Sequence, residues 1–298
     1  MIYNLFNRSR LMHNSRLYKK AGLNKFYFSP VSSKDFENVD EQLLKPKTTP
    51  KKARETELYK KLSDEDRASI DDYPTNGYAI LKGYLDSSRV DAINNDIADL
   101  IKSKAVKFRY GNKIMFAFKK SKALKSVAKD PLLDELLSAL MGDQVKLFQS
   151  INFLSGSEQD SHSDSIHMTT FPQGGLLGVW VALEDIDTDN GPLHYYPGSH
   201  TLPYYMNKDY DNEGNLFMIG KHNYDKYEEM IAQKIKDNQL EKKTFTAKAG
   251  DLLIWHANLL HGGERHTNKQ KTRKSVVFHY YAENRVCYHE ITQRPALI

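Results

Sequence analysis

Cysteine is almost absent from this chain: Cys287 is the only one in 298 residues. No intrachain disulfide can form, so a reducing compartment is the default expectation. Long apolar runs are missing too. Nothing approaches the ~18 residues that a membrane-spanning helix needs, and no apolar stretch with a cleavage site stands near the start. These absences predict a cytoplasmic protein, or one in an organelle matrix if its basic beginning is a targeting segment. Internal repeats and long low-complexity tracts are also lacking. Net charge is mild, at +5. It would steer anionic ligands toward the chain, but no nucleic-acid partner is expected from it. The 40% hydrophobic content suffices for a substantial core in one large domain or two small ones.

Acidic residues are missing from the first 34 positions, which hold seven cations: Arg8, Arg10, Arg16, Lys19, Lys20, Lys25 and Lys34. Such an arm can contact nucleic acid or a membrane surface, or serve as an address. It also carries Tyr3, Phe6, Tyr18, Phe26, Tyr27 and Phe28 without clean helical spacing. The expectation is therefore an arm that packs on the domain. Lys45 to Lys52, with Pro46 and Pro50, reads as an extended linker, because proline pushes its predecessor out of the helical region. Residues 1–60 are accordingly read as arm and linker, and 61–298 as the folded domain.

That domain opens with helix signals. Ser63 followed by three acids suits a helix start, and Pro74 and Gly77 suit its end. Tyr78 to Leu81 reads as a short strand. Asp86 is placed to cap a helix with apolar positions Val90, Ile93, Ile97, Leu100 and Ile101, and Asp130-Pro131 opens another that stops at Gly142. From Gln144 onward the pattern changes to strands: 145–153, 176–183, 244–247, 252–255 and 275–281, with a strong turn at Asp189-Asn-Gly-Pro. Many short strands between turn residues predict a sandwich or jelly roll, not a parallel sheet. The polar stretch 203–243 reads as a lid or insertion near a pocket mouth, with a helix from about Tyr224 to Lys236.

The chemistry concentrates between Gln159 and Arg273. His162-Ser-Asp164 is a His-x-Asp pair, and on a strand positions i and i+2 share a face. Two histidines and one carboxylate on one face of a metal is the arrangement of non-haem Fe(II) oxygenases. His261, after an apolar run and before two glycines, is a good candidate for the second histidine. Arg273 and Ser275 begin a further strand on one face. Taken singly, each of these has a plain alternative: a surface turn for His-x-Asp, a satisfied core histidine for His261, one more surface cation for Arg273.

Taken in order, His162-x-Asp164, Gly178-Val-Trp-Val-Ala-Leu-Glu-Asp, Asn190-Gly-Pro-Leu, Pro197-Gly-Ser-His200, Gly250-Asp, His261-Gly and Arg273-x-Ser275 resemble the phytanoyl-CoA dioxygenase family of Fe(II)- and 2-oxoglutarate-dependent oxygenases. The resemblance covers roughly Tyr73 to Tyr281. It implies a mainly β fold, a double-stranded β-helix of the cupin-like jelly-roll kind, with N-terminal helices supporting one sheet. It implies Fe(II) held by His162, Asp164 and His261, with 2-oxoglutarate and O2 as cosubstrates. Arg273 would anchor the far carboxylate of 2-oxoglutarate through its planar fork, and Ser275 would add a hydroxyl bond. Gln149, Asn152 and Trp180 are further candidates for the cosubstrate pocket. Because Asp164 is present, hydroxylation of a small-molecule or lipid-type substrate is expected over halogenation. The alternative kept open is a non-catalytic or isomerase/lyase-type metal-binding jelly roll whose basic arm binds a partner. Oligomeric state is not legible.

Overall fold

The computed structural model describes residues 2–44, 49–213 and 224–298. Part of the expected linker (45–48) and part of the expected lid (214–223) therefore lie outside the described residues. The helices are α1 (Ile2–Leu5), α2 (Arg8–Lys20), α3 (Glu57–Lys61), α4 (Asp64–Asp71), α5 (Tyr73–Asn76), α6 (Ser87–Lys102), α7 (Lys122–Ala128), α8 (Pro131–Met141) and α9 (Tyr224–Asp237). Most of their starts are chemically marked. The side chains of Ser63, Asp86, Ser121 and Asp130 each accept a backbone N–H of the first turn, satisfying donors that the helix itself leaves free. Gly142 and Gly77 end α8 and α5 in the left-handed conformation. The helix begun at Ser63 stops at Asp71, and Pro74 sits inside the separate short α5.

A seven-stranded antiparallel sheet forms the centre. In spatial order it comprises β1 (Tyr78–Leu81), β9 (Leu252–His256), β6 (Leu176–Ala182), β11 (Ser275–Ala282), β4 (Val145–Phe153), β3 (Lys113–Met115) and β2 (Phe108–Arg109). A three-stranded sheet of β10 (His261–Gly263), β7 (Leu193–Tyr195) and β8 (Lys243–Phe245) faces it. A third, of β13 (Arg294–Pro295), β12 (Val286–His289) and β5 (Thr169–Phe171), completes the set. These antiparallel sheets match the double-stranded β-helix expected from the sequence, but the mainly β description does not hold. Helix accounts for 37% of the chain and strand for 21%, because the helical layer on the large sheet is as substantial as the sandwich itself.

Strand alternation divides the large sheet between two cores. Leu177, Val179 and Val181 of β6, Ile254 of β9 and Val276 and Phe278 of β11 pack with α6 to α8. Trp180, Leu253, Trp255, Val277 and Phe153 point the other way, to meet Leu193, Tyr195 and Phe245 of the small sheet. The uninterrupted apolar run of β6 follows from this, since a strand covered on both faces has no solvent side.

The N-terminal segment is built into the fold. Leu17, Tyr18, Phe36 and Leu44 pack on Phe171, Val286 and Tyr288 of the third sheet. The helix α2 is hard to see in sequence because its buried face includes Asn14 and Tyr18 instead of an aliphatic repeat. Leu17→Ala should cost about 2–5 kcal/mol of stability, as for other buried leucines, read as a shifted urea midpoint. Metal affinity should stay unchanged, because that cluster shares no residue with the site described below. A second expectation concerns pH. Burial pushes His256 down to about 4, with the neighbouring His200 adding to it, and burial likewise pushes His194 down to about 4. Unfolded histidines titrate near ~6.5, so between ~6.5 and about 4 the unfolded chain binds more protons than the native one. Stability should then be complete above ~6.5 and fall as pH drops through that window; urea midpoints at successive pH values would check it.

Candidate active site

His162 is not in a regular strand. It forms an isolated antiparallel bridge with His261, the two residues exchanging N–H to C=O bonds of 2.9 and 3.0 Å. Asp164 opens a 3-10 turn, Asp164–Ile166. The simple strand geometry expected for His-x-Asp is thus replaced by a bridge followed by a tight turn. The outcome is nonetheless convergence: one ligand atom from each of His162, Asp164 and His261 lies within 4.8 Å of the others, and all three residues are buried.

Each ligand atom is aimed by a partner on its other side. Nδ1 of His162 meets the Asp160 carbonyl at 2.8 Å and Nδ1 of His261 meets the Leu259 carbonyl at 2.9 Å. A carbonyl requires Nδ1–H, so both rings present an Nε2 lone pair. Those two Nε2 atoms are each 3.9 Å from Oδ1 of Asp164. Trp255 Nε1 donates to the other carboxylate oxygen, Oδ2, at 2.8 Å, and His279 Nε2 lies 3.5 Å from it. Burial pushes the carboxyl of Asp164 up, but the facing His261, His279 and His162 outweigh burial and hold it below the usual range. Burial, with His261 beside it, pushes His162 down to about 3. A deprotonated carboxylate and neutral imidazoles are the forms that bind metal, and this donor set suits a divalent first-row ion such as Fe(II).

The approach of Trp255 depends on Gly178, its partner across the β6–β9 ladder. A Cβ at Gly178 would lie 2.2 Å from Cε2 of the indole. Only glycine lets the ring lie against the sheet with its N–H directed at Asp164.

A narrow cavity runs from the three ligands to Arg273, lined on its way by Ile151, Phe153, Trp180, Val277 and Lys113. Arg273 precedes β11 and is 1% exposed. Its Nε donates to the Gly191 carbonyl at 3.1 Å and its Nη1 to Ser275 Oγ at 2.9 Å, while Nη2 has no partner among the described residues. The guanidinium lies 5.2 Å from the centroid of the Trp180 ring and 5.7 Å from that of Phe153. Burial pushes it down to about 10, against Glu184, which raises it. A buried cation without a carboxylate in contact is costly, and it fits a site built to receive an anion from the cavity.

Other candidates distribute unevenly. Trp180 lines the cavity and Ser275 orients Arg273. Gln149 bonds Met168 Sδ at 3.1 Å and meets His279 Nδ1 at 3.3 Å, so it touches the site only through His279. Asn152 is turned away. It pairs with Val276 and Ile114, both in the helix-side core, whereas its neighbours Ile151 and Phe153 face the cavity. Positions 149 and 152 are three apart, and a strand cannot put both on one face. Lys113 and Trp255 are the residues that sequence reasoning missed as parts of the site. His279 was within reach, since Ser275, Val277 and His279 alternate along β11. Nothing local marks Lys113, which enters from a short hairpin strand, or Trp255.

The insertion also touches the site. Tyr227 of α9 accepts the Ser163 N–H at 3.1 Å, between two of the three ligands, and Tyr224 Oη lies 2.9 Å from Nε2 of His167.

Antiparallel sheets around a buried two-histidine, one-carboxylate centre, with an arginine on the same cavity, match the architecture and ligand pattern of the Fe/2-oxoglutarate-dependent oxygenase family. The sequence model of the phytanoyl-CoA dioxygenase (PhyH) family matches residues 73–275, and the chain belongs to that family. It is 29% identical over 127 residues to a cattle (Bos taurus) protein named phytanoyl-CoA dioxygenase domain-containing protein 1, covering 42% of this chain and 39% of that one. The match thus spans about two fifths of that relative's length. Among solved structures, the non-haem α-ketoglutarate-dependent carbocyclase SnoK from nogalamycin biosynthesis superposes with a TM-score of 0.61 at 16% identity, over 80% of this chain and 89% of that one. The epimerase SnoN, in complex with Fe3+, α-ketoglutarate and nogalamycin RO, does so with a TM-score of 0.56 at 20% identity, over 74% and 84%.

Trp255→Phe keeps the ring and removes the bond to Asp164. Loss of a hydrogen bond that orients a metal ligand typically costs ~10–100-fold in metal affinity, and that loss is expected here in a Co(II) titration. Gly178→Ala should reproduce the defect by displacing the indole; wild-type affinity in both variants would remove Trp255 from the site's machinery.

Proposed function

We propose that this protein is an Fe(II)- and 2-oxoglutarate-dependent hydroxylase acting on an unactivated C–H bond of a small-molecule or lipid-type substrate. The observation that carries this reading is Arg273, a buried guanidinium with one donor unpartnered, on the same cavity as a complete ligand set. His162, Asp164 and His261 would hold the iron, and Arg273 with Ser275 would hold the far carboxylate of 2-oxoglutarate. When bound, iron with 2-oxoglutarate and O2 supplies the oxidising power for C–H cleavage, releasing succinate and CO2.

The chain's own residues do the positioning. Trp255 and His279 keep the charge of Asp164 directed at the centre. Arg273 sets the depth at which the cosubstrate sits, with the apolar walls of Phe153, Val277 and Ile151 excluding water along its length. Lys113, whose cavity position and burial lower its pKa, supplies a second positive charge to a dianionic cosubstrate. A carboxylate at position 164 leaves no ligand place for a halide, which supports hydroxylation. Carbocyclase and epimerase chemistry are known on this fold, so the product decides: a gain of one oxygen with equimolar succinate supports the reading, and a product without added oxygen overturns it.

Arg273→Ala should raise the 2-oxoglutarate dissociation constant, measured by calorimetry on the Mn(II)-loaded protein. Breaking a desolvated charge pair costs ~2–5 kcal/mol, about 30-fold to several thousand-fold. Arg273→Lys should recover only part of this, because an ammonium lacks the fork. Lys271→Ala should change little, since Lys271 pairs at the surface with Asp187 and Asp189. Equal losses from Arg273→Ala and Lys271→Ala would indicate a diffuse basic patch instead of a cosubstrate anchor.

A further inference from the structure

The N-terminal helices carry a surface that the site does not use. Seven large hydrophobic side chains are exposed among the described residues, and four of them fall between positions 5 and 26: Leu5, Phe6, Met12 and Phe26. Phe6 is 80% exposed and Phe26 70%, well beyond ordinary scatter for phenylalanine. Leu5 and the turn that carries Phe26 are neighbours in space. Tyr27 Oη donates to the Leu5 carbonyl at 3.0 Å, which seats the 26–28 turn beside α1, and the rings of Phe26 and Phe28 stack at 5.5 Å.

The same surface is strongly cationic. Helix α2 buries Leu11, Asn14, Leu17 and Tyr18, and Leu17 and Tyr18 pack on the third sheet. Its opposite face presents Arg8, Met12, Arg16 and Lys19, spaced four and three residues apart and all exposed. Lys20 flanks that row, also exposed. No acid occurs before Asp35, whose carboxylate is taken up by Lys25 at 2.9 Å. Arg8, Lys19 and Lys20 therefore meet no acidic residue from their own segment.

We propose that this face docks on an anionic lipid bilayer, with Phe6 and Phe26 entering the interface and the α2 row over the headgroups. Charge complementarity selects a polyanionic partner. The aromatic side chains select among polyanions: a phosphate backbone offers Phe6 and Phe26 no apolar medium, whereas a bilayer interface does. Burial of the opposite helix face keeps α2 fixed, so the row is presented without a folding cost on binding.

The test is co-sedimentation of the full chain with phosphatidylcholine vesicles and with phosphatidylcholine–phosphatidylserine vesicles. Binding is expected only to the second, and should weaken with salt. Arg8→Gln with Lys19→Gln should lower the partition coefficient about fivefold per charge removed. Phe6→Ser with Phe26→Ser should lower it at least as much while leaving the melting temperature and Co(II) affinity unchanged, since both side chains are exposed. In Phe26→Trp the added fluorescence should shift to the blue on phosphatidylserine vesicles; Trp180 and Trp255 are buried and supply a constant background. Absence of binding to the anionic vesicles, or an unshifted emission on them, overturns the proposal. So does a loss confined to the charge variants with equal affinity for a DNA duplex, which would make the face a general polyanion site.

Discussion

A carboxylate has been taken out of water at the centre of this fold, and the three histidines that face Asp164, together with the hydrogen bond from Trp255, are what make that tenable. Burial alone would favour the neutral acid. The indole N–H satisfies one carboxylate oxygen, and His279 adds a second contact near it, leaving the other oxygen directed at His162 and His261. That arrangement rests on a missing side chain on the neighbouring strand: Gly178, directly opposite Trp255, leaves room for the ring. The large sheet therefore cannot change at β6 without consequences for the metal centre.

The two cores of the large sheet have different tasks. On the helix side, α6 to α8 close an apolar cluster with no charged residue of the site in it. Within the sheet, the pairing of β11 with β4 shifts register between His279 and Tyr280. On the sandwich side, the same strands present a mixture: Trp180, Val277 and Phe153 as walls, with Arg273 and Asp164 as charges at opposite ends of the cavity. Arg273 and Asp164 thus place opposite charges on one largely apolar cavity.

The insertion and the N-terminal segment attach to this frame by different chemistry. Helix α9 reaches the ligand loop through hydroxyls, with Tyr227 accepting from Ser163 and Tyr224 beside His167. Movement of α9 would therefore be felt at the backbone between His162 and Asp164. The N-terminal segment packs its apolar side chains on the third sheet, with Ser33 donating to Glu290, and among the described residues contributes no side chain to the cavity. It can present a surface of its own without disturbing the centre.

The residue types and their order were determined by the sequence alone. The candidate metal ligands and Arg273 with Ser275 were singled out by motif order and the family resemblance it carries, while the capped helices at Ser63, Asp86 and Asp130 and the strand at 145–153 are local features, readable from spacing and side-chain chemistry. What only the tertiary structure decided is how those residues meet. His162 and Asp164 converge through a bridge and a turn, not a strand, because His261 supplies the backbone partner from a hundred residues away. Asn152 leaves the site because sheet register assigns it to the helix-side face. Lys113 and Trp255 join the site from strands whose sequences carry no mark of it. The helical share of the fold exceeds what a jelly-roll motif implies, because helices earn their place by covering a sheet face, and that coverage is a property of packing. Periodicity is a local signal; proximity between distant segments is set by which faces must be buried together.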